Sequence, residues 1–126
     1  MINNSLLSKT DVKLLEFFLD NYNIDDSIAC CQINKATIKR ENSPYFYILD
    51  FKYTDSDLQR IDCNPGIYPE FQVIHDDGAA PTIFILHIKN GIIVEYEIYN
   101  ADYSVLNFSS ICNGEVYIDN SIIGDI

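Results

Sequence analysis

The feature of this sequence that most constrains its fold is a pair of long apolar segments joined by the dipeptide Asn90-Gly91. Asn-Gly is a strong signal for a two-residue hairpin turn, because both central residues of that turn need positive φ. Residues 82–88 are apolar on both faces, which predicts a strand in the middle of a sheet. Residues 92–99 alternate, as expected of a strand with one buried face. One face of that strand carries Val94, Tyr96 and Ile98, and the other carries Glu95, Glu97 and Tyr99.

Around this hairpin, the pattern predicts one helix and several further strands. Residues 12–20 place four apolar side chains on one helical face: Leu14, Leu15, Phe18 and Leu19. Either Ser8 or Thr10 can cap this helix, and the polar residues 21–27 are expected to end it. No second helix is expected. Further strands are expected at residues 28–33, 36–40, 45–53, 70–74, 104–108 and 115–118, with at most a short helical turn at residues 55–60.

Length and composition indicate a single domain over residues 1–126. A chain of 126 residues with 48% apolar residues can bury one core but has no room for a second domain. The predicted elements give an α+β fold, in which the N-terminal helix packs on a mostly antiparallel sheet of five to seven strands. The sequence has no run of 18 apolar residues and no secretory pattern, so we expect a cytoplasmic protein with no membrane partner.

The net charge of −11 is concentrated in the second half of the chain. Residues 1–60 contain 7 basic and 9 acidic residues, whereas residues 61–126 contain 1 basic residue, Lys89, and 10 acidic residues. This balance argues against nucleic acid as a partner, because phosphate contacts need lysine and arginine. Self-repulsion costs stability, and acidic residues interleaved with tyrosine suit a positively charged protein partner. An ordinary charged surface that keeps the protein soluble is the alternative interpretation.

Candidate contact residues are the acidic and tyrosine side chains on and around the hairpin. The expected partner-binding residues are Asp76, Asp77, Glu95, Glu97, Tyr99, Asp102 and Tyr103. The carboxylates would pair with lysine or arginine of the partner. Tyr99 and Tyr103 would pack at the centre of the interface, where large aromatic side chains contribute most to binding.

No catalytic or metal-ligating pattern accompanies these residues. The four cysteines are Cys30, Cys31, Cys63 and Cys112. They form no C-x-x-C pair, and we expect them to be reduced and to pack as small apolar residues. His75 has no full set of metal ligands beside it, and His87 is expected to be a satisfied core or edge histidine. We therefore expect no metal, no cofactor and no enzymatic activity; a small enzyme without a recognisable motif and an acidic adaptor or ligand-binding module are the alternatives.

Residues 83–91, followed by residues 94–102, resemble the C-terminal hairpin of small bacterial immunity proteins. Those proteins are encoded beside polymorphic toxins and contact-dependent growth inhibition systems. In them one strand ends at Asn-Gly or Asp-Gly, and the next reads apolar-Glu-apolar-Glu-apolar. The resemblance covers residues 81–103 and implies a cytosolic protein without catalytic residues. Such a protein neutralises a cognate toxin domain, often a basic nuclease, by covering its active site or a nearby surface.

Overall fold

Two helices precede the sheet in the computed structural model of the chain, which describes residues 1–55, 57–62, 69–75, 78–106, 115–118 and 121–125. Of the last two segments only the backbone pairing is described. The helices are α1 (Lys9–Asn21) and α2 (Asp26–Lys35). The strands are β1 (Thr37–Asn42), β2 (Phe46–Lys52), β3 (Glu70–Ile74), β4 (Thr82–Lys89), β5 (Ile92–Asn100), β6 (Glu115–Ile118) and β7 (Ser121–Asp125). Neither described helix has the length and apolar character needed to span a membrane.

The described strands form one sheet in the order β1-β2-β5-β4-β3-β6-β7, and each neighbouring pair is antiparallel. β4 is the middle strand, in agreement with its apolar character on both faces. The sheet and the N-terminal helix together confirm the α+β fold expected from the sequence.

The β4–β5 hairpin has the expected turn but also contains an irregularity. Asn90 and Gly91 both have positive φ, at 52° and 79°, as a two-residue hairpin turn requires. The register shifts near the turn: His87 pairs with Glu95, but Ile88 pairs with Ile93. Val94 is therefore an extra residue in β5 and is only half-buried, whereas Ile93 is fully buried. The expectation that Val94 shares the buried face was wrong, because strict alternation ignores such a bulge.

Helix α1 begins and packs as its sequence predicts. Ser8 is the N-cap, so of the two candidate caps the chain uses the earlier one. Its hydroxyl accepts a hydrogen bond from the Asp11 N–H, and the Asp11 carboxylate accepts one from the Ser8 N–H. This reciprocal pair satisfies two backbone donors at the helix start. The apolar face is buried as expected: Leu14, Leu15, Phe18 and Leu19.

The prediction of a strand at residues 28–33 was wrong, because these residues form the middle of helix α2. The carboxylate of Asp25 caps that helix by accepting a hydrogen bond from the Ile28 N–H at 3.0 Å. A six-residue apolar run has no period that separates helix from strand, and the acidic cap was interpreted as the end of α1. The sequence also predicts a short helical turn at residues 55–60 and a strand at residues 104–108. The structure describes residues 55, 57–60 and 104–106 of these two segments, and they form neither a helix nor a strand.

The core lies between the two helices and one face of the sheet. Phe18 of α1 packs on Phe71 of β3 with ring centroids 4.6 Å apart, and Phe71 stacks on Phe84 of β4 at 4.7 Å. Tyr96 of β5 meets Phe18 edge-on. Ile33 of α2 is fully buried in the same cluster. Both helices therefore cover the same side of the sheet, and its other side carries no helix of the described chain.

Gln32 of α2 ties that helix to the tip of the β4–β5 hairpin. Its side-chain amide donates to the carbonyl oxygens of Gln59 at 2.8 Å and Gly91 at 2.9 Å. Its Oε1 accepts from the Ile93 N–H at 2.9 Å. The Gly91 carbonyl also accepts from the Ile61 N–H at 2.8 Å. We call these contacts the Gln32 clamp, which fixes the hairpin tip against α2 and residues 59–61.

Candidate partner-binding face

We call the side of the sheet that faces away from both helices the open face. Strand alternation and register decide which side chains it carries. Its central residues are Glu41 and Lys39 of β1, Phe46, Ile48 and Asp50 of β2, Glu95, Glu97 and Tyr99 of β5, Ile83, Ile85 and His87 of β4, and Glu70 and Gln72 of β3. Toward the β4–β5 turn the same side continues with Lys52 and Lys89. The open face is therefore basic at the turn end and acidic and aromatic over the rest.

One row across the open face brings charged residues of four strands side by side. The register pairs Lys39 with Asp50, Asp50 with Glu95, and Glu95 with His87. Asp50 and Glu95 are like charges directly opposite each other, an arrangement that destabilises a sheet. Burial raises the pKa of Glu95, neighbouring carboxylates add to that rise, and His87 opposes it. This row therefore sets two carboxylates side by side at its centre, with Lys39 at one end and His87 at the other.

The next row places Glu97 between two apolar side chains, Ile48 on one side and Ile85 on the other. Its Oε1 lies 3.1 Å from Nε2 of His87, so the two form an ion pair when His87 is protonated. His87 is satisfied by this contact, as expected, but it lies half-buried on the open face of the middle strand, neither in the core nor at a sheet edge. The residues around His87 in the sequence are apolar, so they give no sign that the open face beside His87 carries carboxylates from β5.

A groove of about 420 Å³ lies at the end of the open face remote from the β4–β5 turn. We call it the aromatic groove, and it is lined by Tyr45, Phe46, Ile48, Glu97, Tyr99 and Tyr103. The rings of Tyr99 and Tyr103 stack, with centroids 5.9 Å apart and planes inclined by 9°. Tyr45 is 54% exposed and Tyr103 is 74% exposed. The aromatic groove thus presents ring surface to solvent next to one carboxylate.

The turn after β5 holds Tyr103 at this groove. The Tyr103 N–H donates to the Asn100 carbonyl at 2.8 Å, and its φ of 58° lies in the left-handed region that bulky residues rarely adopt. Hydrogen bonds from Ser104 hold the Asp102 side chain in the turn and lower the pKa of its carboxyl group. The Asn100 side-chain amide donates to the Val105 carbonyl at 2.9 Å. These hydrogen bonds therefore hold the Tyr103 backbone in a conformation that is unfavourable for tyrosine.

The structure places four of the sequence-derived candidates together: Glu95, Glu97 and Tyr99 on the open face and Tyr103 at the aromatic groove. Asp102 lies in the adjoining turn, where its carboxylate accepts from the backbone of its own loop. Asp76 and Asp77 lie outside the described residues.

Sequence reasoning missed the contribution of β2 to this face. β2 pairs with β5, which places Phe46 opposite Tyr99 and Ile48 opposite Glu97. A signal was present, because the side of β2 that begins with these two apolar residues ends with charged ones. Tyr45, which alternation groups with the buried Tyr47, precedes β2 and lines the aromatic groove instead.

The histidines and cysteines outside the open face have few polar contacts in the described residues. No group of three or more His, Cys, Asp or Glu side chains there is arranged to hold a metal ion. Burial raises the pKa of the Cys30 thiol, which makes it a weak nucleophile. His75 Nε2 lies 2.8 Å from the Thr82 hydroxyl. Cys63 and Cys112 lie outside the described residues.

Comparison with known proteins adds no relative: no family model, no curated protein and no solved structure matches this chain.

Proposed function

We propose that this chain is a cytosolic immunity protein that binds a basic toxin domain through its open face. The toxin class that we propose is a nuclease, and binding keeps that nuclease from its substrate. The observation that supports the proposal is that the aromatic groove adjoins the carboxylates of Asp50, Glu95 and Glu97 on a sheet face that no described helix covers. In this proposal the protein acts by binding and needs neither a cofactor nor a catalytic residue.

The charge arrangement favours a positively charged partner. The open face carries Glu41, Asp50, Glu95 and Glu97 on neighbouring strands, and the Asp50–Glu95 pair is repulsive. Lysine and arginine side chains from a partner would remove that repulsion. Complementary charge also accelerates encounter, which suits an inhibitor that must act before a toxin does damage.

The exposed aromatic side chains favour a protein partner over a small ion. Tyrosine is enriched among the residues that contribute most to interface affinity, and it loses little side-chain entropy on binding. Tyr45, Phe46 and Tyr103 are three of the large exposed apolar side chains in the described chain, and all three line one groove. A partner seated there would bury aromatic surface at the centre and meet carboxylates around it.

A nuclease is the toxin class that these features fit best. A nuclease cleft carries lysine and arginine for the phosphates of its substrate. Carboxylates on adjacent strands of the open face can pair with those same side chains. Occupation of the cleft by the open face would then exclude nucleic acid by direct competition.

The experiment compares three tagged proteins: wild type, Glu95→Lys/Glu97→Lys on the open face, and Glu16→Lys/Asp20→Lys on α1. The control pair is exposed on the helix side and changes the net charge by the same amount. Each is used to capture partners from the native lysate at low and high salt, and the captured domain is then expressed alone and with each protein. Loss of one partner from a buried charge pair costs about 2–5 kcal/mol, so the open-face variant should bind at least ~30-fold more weakly.

The proposal is supported if one basic domain binds wild type and the helix control but not the open-face variant, kills cells alone and is harmless with wild type. Equal binding by both variants would refute the open face as the contact surface. A stoichiometric partner that is harmless when expressed alone would refute the immunity function and favour an adaptor.

A further inference from the structure

We infer that the aromatic groove is a receptor for one arginine side chain of the partner. The inference rests on the proposed function in one respect only, namely that a protein partner supplies the arginine. The groove has its own geometry and chemistry, which select among cations.

The size and shape of the aromatic groove fit one long, flat side chain. Its volume of about 420 Å³ has room for an inserted arginine side chain. The Tyr99 and Tyr103 rings stack on each other with planes only 9° apart, and the exposed Tyr103 leaves a flat ring face open to solvent. A guanidinium group is planar and stacks on such a surface, whereas a quaternary ammonium needs rings that surround it from several directions.

The charge in the groove lining also fits a guanidinium group. Glu97 supplies the carboxylate, and its Oε1 is bonded to His87 at 3.1 Å. A carboxylate can accept about four hydrogen bonds, so Glu97 can still receive a forked pair from arginine. Ile48 and Ile85 flank Glu97 on the neighbouring strands, so the carboxylate lies between apolar side chains. Lysine would satisfy the charge but would use neither the fork nor the flat rings.

The backbone at Tyr103 gives independent support. A left-handed conformation is unfavourable for a side-chain-bearing residue, and glycine would adopt it without strain. The chain nevertheless has tyrosine at φ 58°, stacked on Tyr99 and 74% exposed. An exposed ring held in a strained turn adds little to the core. Backbone outliers of this kind are concentrated at ligand-binding sites.

The test is an NMR titration of the ¹⁵N-labelled full chain with N-acetyl-arginine N-methylamide, and with the citrulline and lysine analogues. Citrulline has nearly the shape of arginine without its charge. We expect the arginine probe to bind with a Kd of roughly 1–10 mM and to shift the amides of Ile48, Glu97 and Tyr99. The citrulline probe should bind at least ~10-fold more weakly and the lysine probe at least ~3-fold more weakly.

Two variants examine the groove directly. Tyr103→Gly removes the ring while relieving the backbone strain, and Glu97→Gln removes the charge while keeping the shape. Each should weaken arginine binding at least ~10-fold with an otherwise native amide spectrum, and Glu16→Gln on the exposed side of α1 should leave it unchanged.

Equal binding of citrulline or lysine, shifts outside the groove, or no shift at all would overturn the inference. These failures are distinct from failure of the immunity proposal. If the chain captures a toxic partner through Glu95 and Glu97 but its groove does not bind arginine, only the inference of an arginine receptor is overturned. Specific arginine binding by a chain that protects no cell would overturn only the immunity function.

Discussion

Replacement of Gln32 by leucine should destabilise the protein through the loss of the Gln32 clamp. The Gln32 side chain is 1% exposed, so each of its three hydrogen-bond partners must be considered separately. The Gly91 carbonyl keeps its bond from the Ile61 N–H at 2.8 Å, and the Gln59 carbonyl belongs to an exposed residue that water can reach. The Ile93 N–H, however, loses the acceptor at 2.9 Å and stays buried. An unsatisfied buried donor costs about 1–3 kcal/mol, and the weaker losses bring the total to about 2–3 kcal/mol.

That loss corresponds to a Tm lower by roughly 10 °C for a domain of this size. Urea titration and calorimetry on wild type and variant would measure it. The matched control is Gln59→Leu, since Gln59 joins the clamp only through its backbone carbonyl, and its effect should stay within about 0.5 kcal/mol. If Gln32→Leu lowers the free energy of unfolding no more than this control, the clamp does not stabilise the hairpin tip and the reasoning fails.

Two further predictions concern single positions on β5 and in turns. Burial and neighbouring carboxylates raise the pKa of Glu95 in the folded state. Between the pKa of the unfolded chain and this raised pKa, the folded state keeps a proton that the unfolded chain has released. The free energy of unfolding therefore falls as the pH rises from the lower pKa to the higher one. Glu95→Gln should therefore stabilise the protein by about 0.5 kcal/mol at pH 7, because it also relieves the repulsion from Asp50, and this gain should vanish below about pH 4 in denaturant titrations. A pH-independent effect would contradict this assignment. Gly91→Ala should destabilise the fold by at least ~1 kcal/mol more than Gly78→Ala. The two glycines have nearly the same φ, 79° and 78°, so the backbone strain is matched. Only at Gly91 would the new Cβ meet another atom, the Ile61 carbonyl oxygen at 2.7 Å. If the two variants lower the Tm equally, the segment around Ile61 can move away from the new Cβ without loss of stability, and the prediction is wrong.

The elements that the sequence predicted are those with a long or unambiguous local signal. The Asn90-Gly91 turn needs two positive φ angles, and few other dipeptides tolerate them. Helix α1 has both a cap and a four-residue apolar face. Helix α2 also has a cap, but Asp25 can end one helix as easily as it begins the next, and the apolar run that follows is short. The Val94 bulge depends on how two strands fit together, which no local pattern encodes.

The candidate site divides in the same way. Glu95, Glu97 and Tyr99 could be placed on one outward face, because alternation within a single strand is a local property. Their neighbours could not, since Phe46 lies opposite Tyr99 only through the pairing of β2 with β5, which are separated by two other strands in the chain. The stack of Tyr103 on Tyr99 depends on a left-handed backbone that tyrosine seldom adopts. Functional sites often break local rules in this way.

The two faces of β5 separate the residues that stabilise the fold from those that we propose bind a partner. Tyr96 and Ile98 are fully buried against the helix side, while Glu95 and Glu97, which alternate with them, point to the open face. Because the core and the Gln32 clamp already fix the strand, the carboxylates are free to take an arrangement that costs the fold some stability. Lys39 lies opposite Asp50 and His87 lies opposite Glu95, so the sheet itself offsets part of the repulsion between the two carboxylates. Under the proposed function, lysine or arginine side chains of a partner would offset the rest.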